Sequence, residues 1–164
     1  MSKMLGGSFA GGQGDDDFGG KYGVGDVVPD FEATMLDGTP FKLSDYRGKT
    51  VLLDFWATWC GPCIAELPHV IEAYQAHHDE GFEIISISLD HDRDALDNFM
   101  TKWPAMTWIQ VFDGKGWKSR VGQLYGVNAI PHTLLLDKEG KVFAKDLRGD
   151  ALSSAVTEIL AATD

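Results

Sequence analysis

Both cysteines of the chain, Cys60 and Cys63, fall within DFWATWCGPCIAELP, the stretch from Asp54 to Pro68, with Gly61 and Pro62 between them. Three chemistries compete for such a pair. A structural staple is disfavoured, because a bridge closing so short a loop constrains the unfolded chain little, and two cysteines cannot build a disulfide framework. A structural zinc needs four ligands, and the sequence offers no second Cys-x-x-Cys or suitably spaced His pair. Thiol–disulfide exchange remains, and the placement favours it. An apolar run gives way to a helical pattern at the pair, which puts Cys60 at an exposed helix start and Cys63 one turn in. Unpaired N–H groups and the helix dipole there favour a thiolate, lowering the pKa of Cys60 from the ~8.5 of a free thiol towards ~7. Cys60 is then the nucleophile for an external disulfide, and Cys63 resolves the mixed disulfide.

Two carboxyl groups could serve this exchange. Asp54 interrupts an otherwise apolar run, where desolvation raises an acid's pKa; an acid buried there is either paired or chemical. Glu66, three residues beyond Cys63, falls on the same helix face as the dithiol, although a solvated helix carboxylate is the default for such a residue. Either acid, protonated near neutral pH, can shuttle the Cys63 proton.

The elements that must position these groups read as alternating strands and helices. TVLLDFWA lacks polar alternation, as expected of a central parallel strand covered on both faces. Ile64, Leu67, Val70, Ile71 and Tyr74 form a helical stripe ending near Gly81, which Pro68 should kink. FEIISISL is a second buried strand. DRDALDNFMTKW is a second amphipathic helix, and PHTLLLDKEGKVFAKDL reads as two strands turning at Lys138–Gly140. A last helix is expected over 151–161. Ahead of all these, FEATMLDGTPFKLSDY contains Asp37-Gly38, a favoured hairpin turn. The fold class is α/β.

Composition narrows the function. At 164 residues with 44% apolar content, one domain is the default, here 26–164. Residues 1–25, Gly-rich with an acidic knot at Asp15–Asp17, have too little apolar surface to offset ordering and read as a flexible tail or linker. The net charge of −11 argues against nucleic acid. No apolar run spans a bilayer, and the N-terminus lacks the apolar region of a signal peptide, so a cytoplasmic location stays open.

WCGPC, with Asp54 before it and Pro68 after it, resembles the thioredoxin active site. The hairpin segment, GKTVLLDFWATWCGPCIAELP and YGVNAIPHTLLLDKEGKV together resemble the TlpA/ResA group of bacterial thiol-disulfide oxidoreductases, from about Gly25 to the C-terminus. The resemblance implies a thioredoxin-like fold: a central mixed sheet flanked by helices, an N-terminal hairpin, and an extra strand–helix insertion around His91–Tyr125. It implies a cis peptide at Ile130-Pro131 beside the dithiol, with Ile130 backbone groups binding extended substrate. It matches Glu66 to the TlpA/ResA acid and Asp54 to the thioredoxin acid. Trp59, Gly61, Pro62, Ile130, Pro131 and His132 become candidate substrate contacts. His132 stands where these families usually carry Thr, and it either meets substrate, alters the thiolate, or is a tolerated strand residue. Trp103, Trp108 and Trp117 are expected to fill the core or its rim.

The implied function is reduction of protein disulfides through a redox-active Cys60–Cys63 disulfide, with no further cofactor. The family setting adds a monomer outside the cytoplasm, a thiol electron donor of the DsbD/CcdA membrane-protein kind, and a place in cytochrome c biogenesis. Two alternatives compete with this reading. A peroxiredoxin-like peroxidase would need Thr at position 57 and Pro at 53, which are Ala57 and Leu53 here. A Sco-like copper-binding module would use three residues between its cysteines and a distant His, for which only His132 is a candidate.

Overall fold

The computed structural model describes residues 20–162; the first nineteen residues of the expected tail lie outside the described residues. A two-stranded antiparallel hairpin, β1 (Glu32–Thr34) and β2 (Pro40–Lys42), precedes a five-stranded sheet. Its strands are β3 (Thr50–Trp56), β4 (Phe82–Ser88), β5 (Ile109–Phe112), β6 (His132–Leu136) and β7 (Val142–Lys145), in the order β5-β4-β3-β6-β7. Helices α1 (Gly61–His77), α2 (Arg93–Lys102), α3 (Arg120–Leu124) and α4 (Asp150–Ala162) complete the domain.

All seven residues of β3 are buried, Asp54 among them, as expected of a largely apolar strand covered on both faces. The strand is central as expected, but parallel to β4 only; it runs antiparallel to β6. The mixed sheet follows from chain economy, since β6 and β7 turn tightly at Asp137–Gly140 and need no crossover. Helix α1 is continuous through Pro68 and buries Cys63, Leu67, Val70 and Ala73 against the sheet. The stripe is narrower than the sequence suggested, for Ile64, Ile71 and Tyr74 are only half-buried. Gly81 closes the following turn at φ 92°, a conformation that a Cβ disfavours.

Residues 20–25, assigned to the tail by composition, lie against this domain. The Lys21 amide donates to the Tyr125 carbonyl at 3.1 Å and the Gly25 amide to Val142 at 2.9 Å. Tyr22 meets the Tyr125 ring edge-on at 5.6 Å. Tyr125 has no exposed surface and also contacts Phe31 and Phe55, while its hydroxyl donates to the Pro29 carbonyl at 2.6 Å. Through one side chain the end of the insertion holds the chain's approach to the hairpin. Tyr125→Phe, which keeps the ring and strands the Pro29 carbonyl, should cost about 1–2 kcal/mol in urea unfolding. Unchanged stability would show that the hydroxyl does not tie these segments together.

Candidate active site

The end of β3 delivers the chain to α1 through a turn at 57–60, and one buried acid at the end of β4 holds that turn. The Asp90 carboxylate accepts the Thr58 hydroxyl at 2.6 Å, the Thr58 amide at 3.1 Å and the Ser88 hydroxyl at 2.6 Å. It thereby fixes the residues just before Cys60. Asp90 was missed in the sequence. Its only signal there is a polar end to an apolar strand.

Cys60 and Cys63 are joined as a disulfide with Cα atoms 5.2 Å apart. Cys60 caps α1, and the Cys63 amide donates to its sulfur at 3.2 Å. The expected difference in exposure is corrected, because Cys60 is 6% and Cys63 5% exposed. What separates them is chemical surroundings. Cys60 takes an N–H at a helix start, which favours its thiolate. Cys63 lines a small closed cavity whose other walls include Asp54, Glu66, Pro131, Thr133 and Arg148.

Strand register explains why Asp54 reaches this cavity. Asp54 lies beside Ser86 of β4 and Thr133 of β6, and laterally paired residues share a face. The Ser86 hydroxyl donates to the Asp54 carboxylate at 3.2 Å and itself accepts the Trp108 indole N–H at 2.8 Å. Burial pushes the Asp54 pKa up to about 6, against the opposing pull of the Ser86 hydrogen bond and Arg148; the negative charge of Glu66 adds to the rise. Glu66 enters from α1, and its Oε1 accepts the Gly149 amide at 2.8 Å. The two acids therefore meet the same cavity from different elements.

The peptide Ile130-Pro131 is cis. Its Pro131 carbonyl accepts an Arg148 guanidinium N–H at 2.7 Å. Arg148, absent from the sequence reading, thus touches the proline loop while its charge acts on Asp54. Trp59, Gly61 and Pro62 are exposed around the disulfide, and Ile130 and Pro131 are half-exposed.

His132 is displaced from the role of substrate contact. It is 1% exposed and pairs in register with Phe55, so it occupies the sheet face opposite Asp54. It stacks on Phe55 at 5.8 Å, and its Nδ1 lies 2.6 Å from an Asp146 carboxylate oxygen. The period of two along β6 decides this: Thr133, one residue on, takes the cavity face. The same parity separates His132 from Cys63 as a copper-ligand partner. Elsewhere, His69, Glu72 and Asp150 bring ligand atoms within 4.8 Å of one another, but Glu72 and Asp150 are open to solvent and share nothing with the disulfide cavity. Trp108 is buried as expected, whereas Trp117 is 45% exposed.

Comparison with known proteins agrees with this geometry. The Redoxin family model matches residues 23–159. The thiol-disulfide oxidoreductase ResA of Bacillus thuringiensis subsp. konkukian is 33% identical over 140 residues, spanning 85% of this chain and 78% of the relative. The thioredoxin domain of a thiol-disulfide oxidoreductase from Bacteroides vulgatus superposes with a TM-score of 0.78 at 34% identity, covering 85% of this chain and 99% of that one. A thiol:disulfide interchange protein from Bacteroides sp. gives a TM-score of 0.75 at 32% identity, covering 87% and 93%.

Because the folded pKa of Asp54 lies above the unfolded value near ~3.9, ionising it costs stability. That cost begins as pH rises past the unfolded value and is complete above about 6. Asp54→Asn should therefore be near neutral at pH 4 and stabilising by roughly 2–3 kcal/mol at pH 8. Urea unfolding of both oxidised proteins at the two pH values tests this; an equal effect at both would reject a buried acid with a raised pKa.

Proposed function

We propose that this chain, which belongs to the Redoxin family and is a thiol-disulfide oxidoreductase, reduces protein disulfides, with Cys60 attacking and Cys63 resolving. The observation that carries the assignment of roles is the cavity that Cys63 shares with Asp54, Glu66 and Pro131, while Cys60 sits at the helix cap. In the reduced protein the Cys60 thiolate attacks one sulfur of the substrate disulfide. A Cys60–substrate disulfide forms, and the other substrate sulfur leaves as a thiolate and takes a proton. Cys63 then gives its proton to Asp54 or Glu66 and attacks the Cys60 sulfur. The Cys60–Cys63 disulfide forms, and the second substrate thiolate departs and is protonated. Two electrons have passed from the dithiol to the substrate; of the two protons it takes up, one is balanced by the proton that Cys63 gives to the acid and the other comes from water.

The Gly-Pro pair between the cysteines favours the reducing direction by its likeness to thioredoxin, near −270 mV, over the strong oxidant DsbA near −120 mV. Exposed Gly61 and Pro62, with half-exposed Ile130 and Pro131, supply a rim against which an extended substrate segment could lie. The enzyme's own disulfide must be re-reduced by a dithiol donor. Resemblance to the TlpA/ResA group supports an exchange outside the cytoplasm, with a DsbD/CcdA-like membrane donor and a monomeric enzyme. No described helix is long and apolar enough to cross a membrane.

Cys60→Ser should abolish reduction of a protein disulfide, whereas Cys63→Ser should accumulate a Cys60-linked mixed disulfide visible by intact mass and lost on adding dithiothreitol. Trapping through Cys63 in the Cys60→Ser protein would reverse the roles.

Redundancy of the two acids has a separate signature. Asp54→Ala and Glu66→Ala should each slow exchange by only a few fold, and the double variant should lose at least tenfold more than their product, since no acceptor for the Cys63 proton then remains. The comparison is single-turnover oxidation of the four reduced proteins across pH 5–9; strictly multiplicative losses would reject a shared role.

A further inference from the structure

Two indoles lie open to solvent beside the redox centre. Trp59, adjacent to Cys60 in the chain, is 53% exposed and Trp117 is 45% exposed, although most of the large apolar side chains of this domain are covered. Their ring centroids are 6.1 Å apart with planes inclined at 54°, so two segments distant in sequence build one aromatic surface.

Both supports are firm. The turn carrying Trp59 hangs on Asp90 through Thr58. The turn carrying Trp117, a single 3-10 turn over Gly116–Lys118, is drawn in by the Asp113 carboxylate. That carboxylate accepts the Lys115 amide at 3.1 Å and the Arg120 amide at 2.8 Å. Gly116, at φ 55°, lies so close to the His91 ring that a Cβ there would collide with it. This close approach holds Trp117 out on a fixed turn. Exposed Lys115 and Lys118 flank it, in a chain whose net charge is −11.

We infer that Trp59 and Trp117 form a docking platform for the polypeptide flanking the attacked cysteine, selecting segments with an aromatic side chain beside that cysteine and an acidic rather than a basic neighbour. The inference rests on the proposed reduction of protein disulfides and names the kind of partner for that site. Exchange requires the substrate sulfur to reach Cys60, and Trp59 is the exposed residue next to it in the chain, so the segment carrying that sulfur passes close to Trp59. Trp117 extends the contact from there. Paired exposed indoles suit this use because aromatic contacts bury much area at little cost in side-chain freedom and dominate protein interfaces. The lysines supply the charge preference, as a local positive rim on an acidic protein.

The test uses the reduced full chain and four disulfides: hydroxyethyl disulfide, and three short peptide dimers whose cysteine is flanked by Phe and Glu, by Ala and Glu, or by Phe and Lys. Wild-type kcat/KM should be about five- to tenfold higher for the Phe-Glu peptide than for the Ala-Glu peptide, mainly through KM, and higher than for the Phe-Lys peptide at low salt. In Trp117→Ala the Phe-to-Ala ratio should fall close to one, and Trp117→Phe should restore most of it. A wild-type ratio of one, or a Trp117→Ala variant that keeps the full ratio, overturns the platform. Failure to reduce any of the four disulfides would instead overturn the proposed function.

Discussion

Keeping a carboxyl group buried beneath a disulfide is the constraint around which the rest of this structure is arranged. Asp54 can sit there only because β3 is the central strand, with β4 and β6 on either side supplying Ser86 and Thr133 on the same face. Desolvation raises the acid, and the Ser86 hydroxyl and the Arg148 charge offset part of that cost. An apolar residue would make a more stable strand. In the proposed mechanism the acid's value lies in its pKa near neutrality, where a group can both take and return a proton.

The connection from β7 to α4 closes the arrangement. Within four residues, the Asp146 carboxylate meets His132, the Leu147 amide donates to the Thr133 hydroxyl at 3.1 Å, Arg148 donates to the Pro131 carbonyl, and the Gly149 amide donates to Glu66. One short segment therefore grips the proline loop, the start of β6 and one of the two acids. Asp146 adopts φ 53° to do so, an unusual conformation for a residue with a Cβ. Burial pushes its carboxyl up, yet hydrogen bonding and charge from His132, with the Thr133 backbone and Arg148, hold it below the usual range. The buried His132 is thus a structural anchor for the segment that reaches the cavity from the other face of the sheet.

Patterning made the strands and helices legible, because β3 is apolar apart from Thr50 and Asp54 and α1 repeats at three and four residues. Cys60, Cys63, Asp54 and Glu66 were legible because they lie within thirteen residues on one strand–helix junction. Residues that act across the fold were not. Asp90 is 32 positions from Thr58, Arg148 is 17 from Pro131 and Gly149 is 83 from Glu66, so their partners depend on register and closure that no local pattern contains. Trp117, expected in the core or at its rim because a large aromatic residue is usually buried, is instead exposed on the Gly116–Lys118 turn beside His91. The parity of His132 could be known only once β6 was paired with β3.

Near-equal coverage of the two sulfurs changes how selectivity must arise. If exposure set the order of reaction, small reagents and proteins would meet the same open thiol. In the proposed mechanism the nucleophile is defined by an amide N–H and a helix start, and the resolving thiol by the acids behind it. Access is controlled separately, by the exposed rim around a sulfur that is itself only slightly open. An extended chain lying between the proline loop and the Trp59 side suits such a sulfur better than a flat surface does. Proton handling by Asp54 and Glu66 inside the cavity and recognition by Trp59 on the rim are therefore separable properties, with Pro131 belonging to both surfaces.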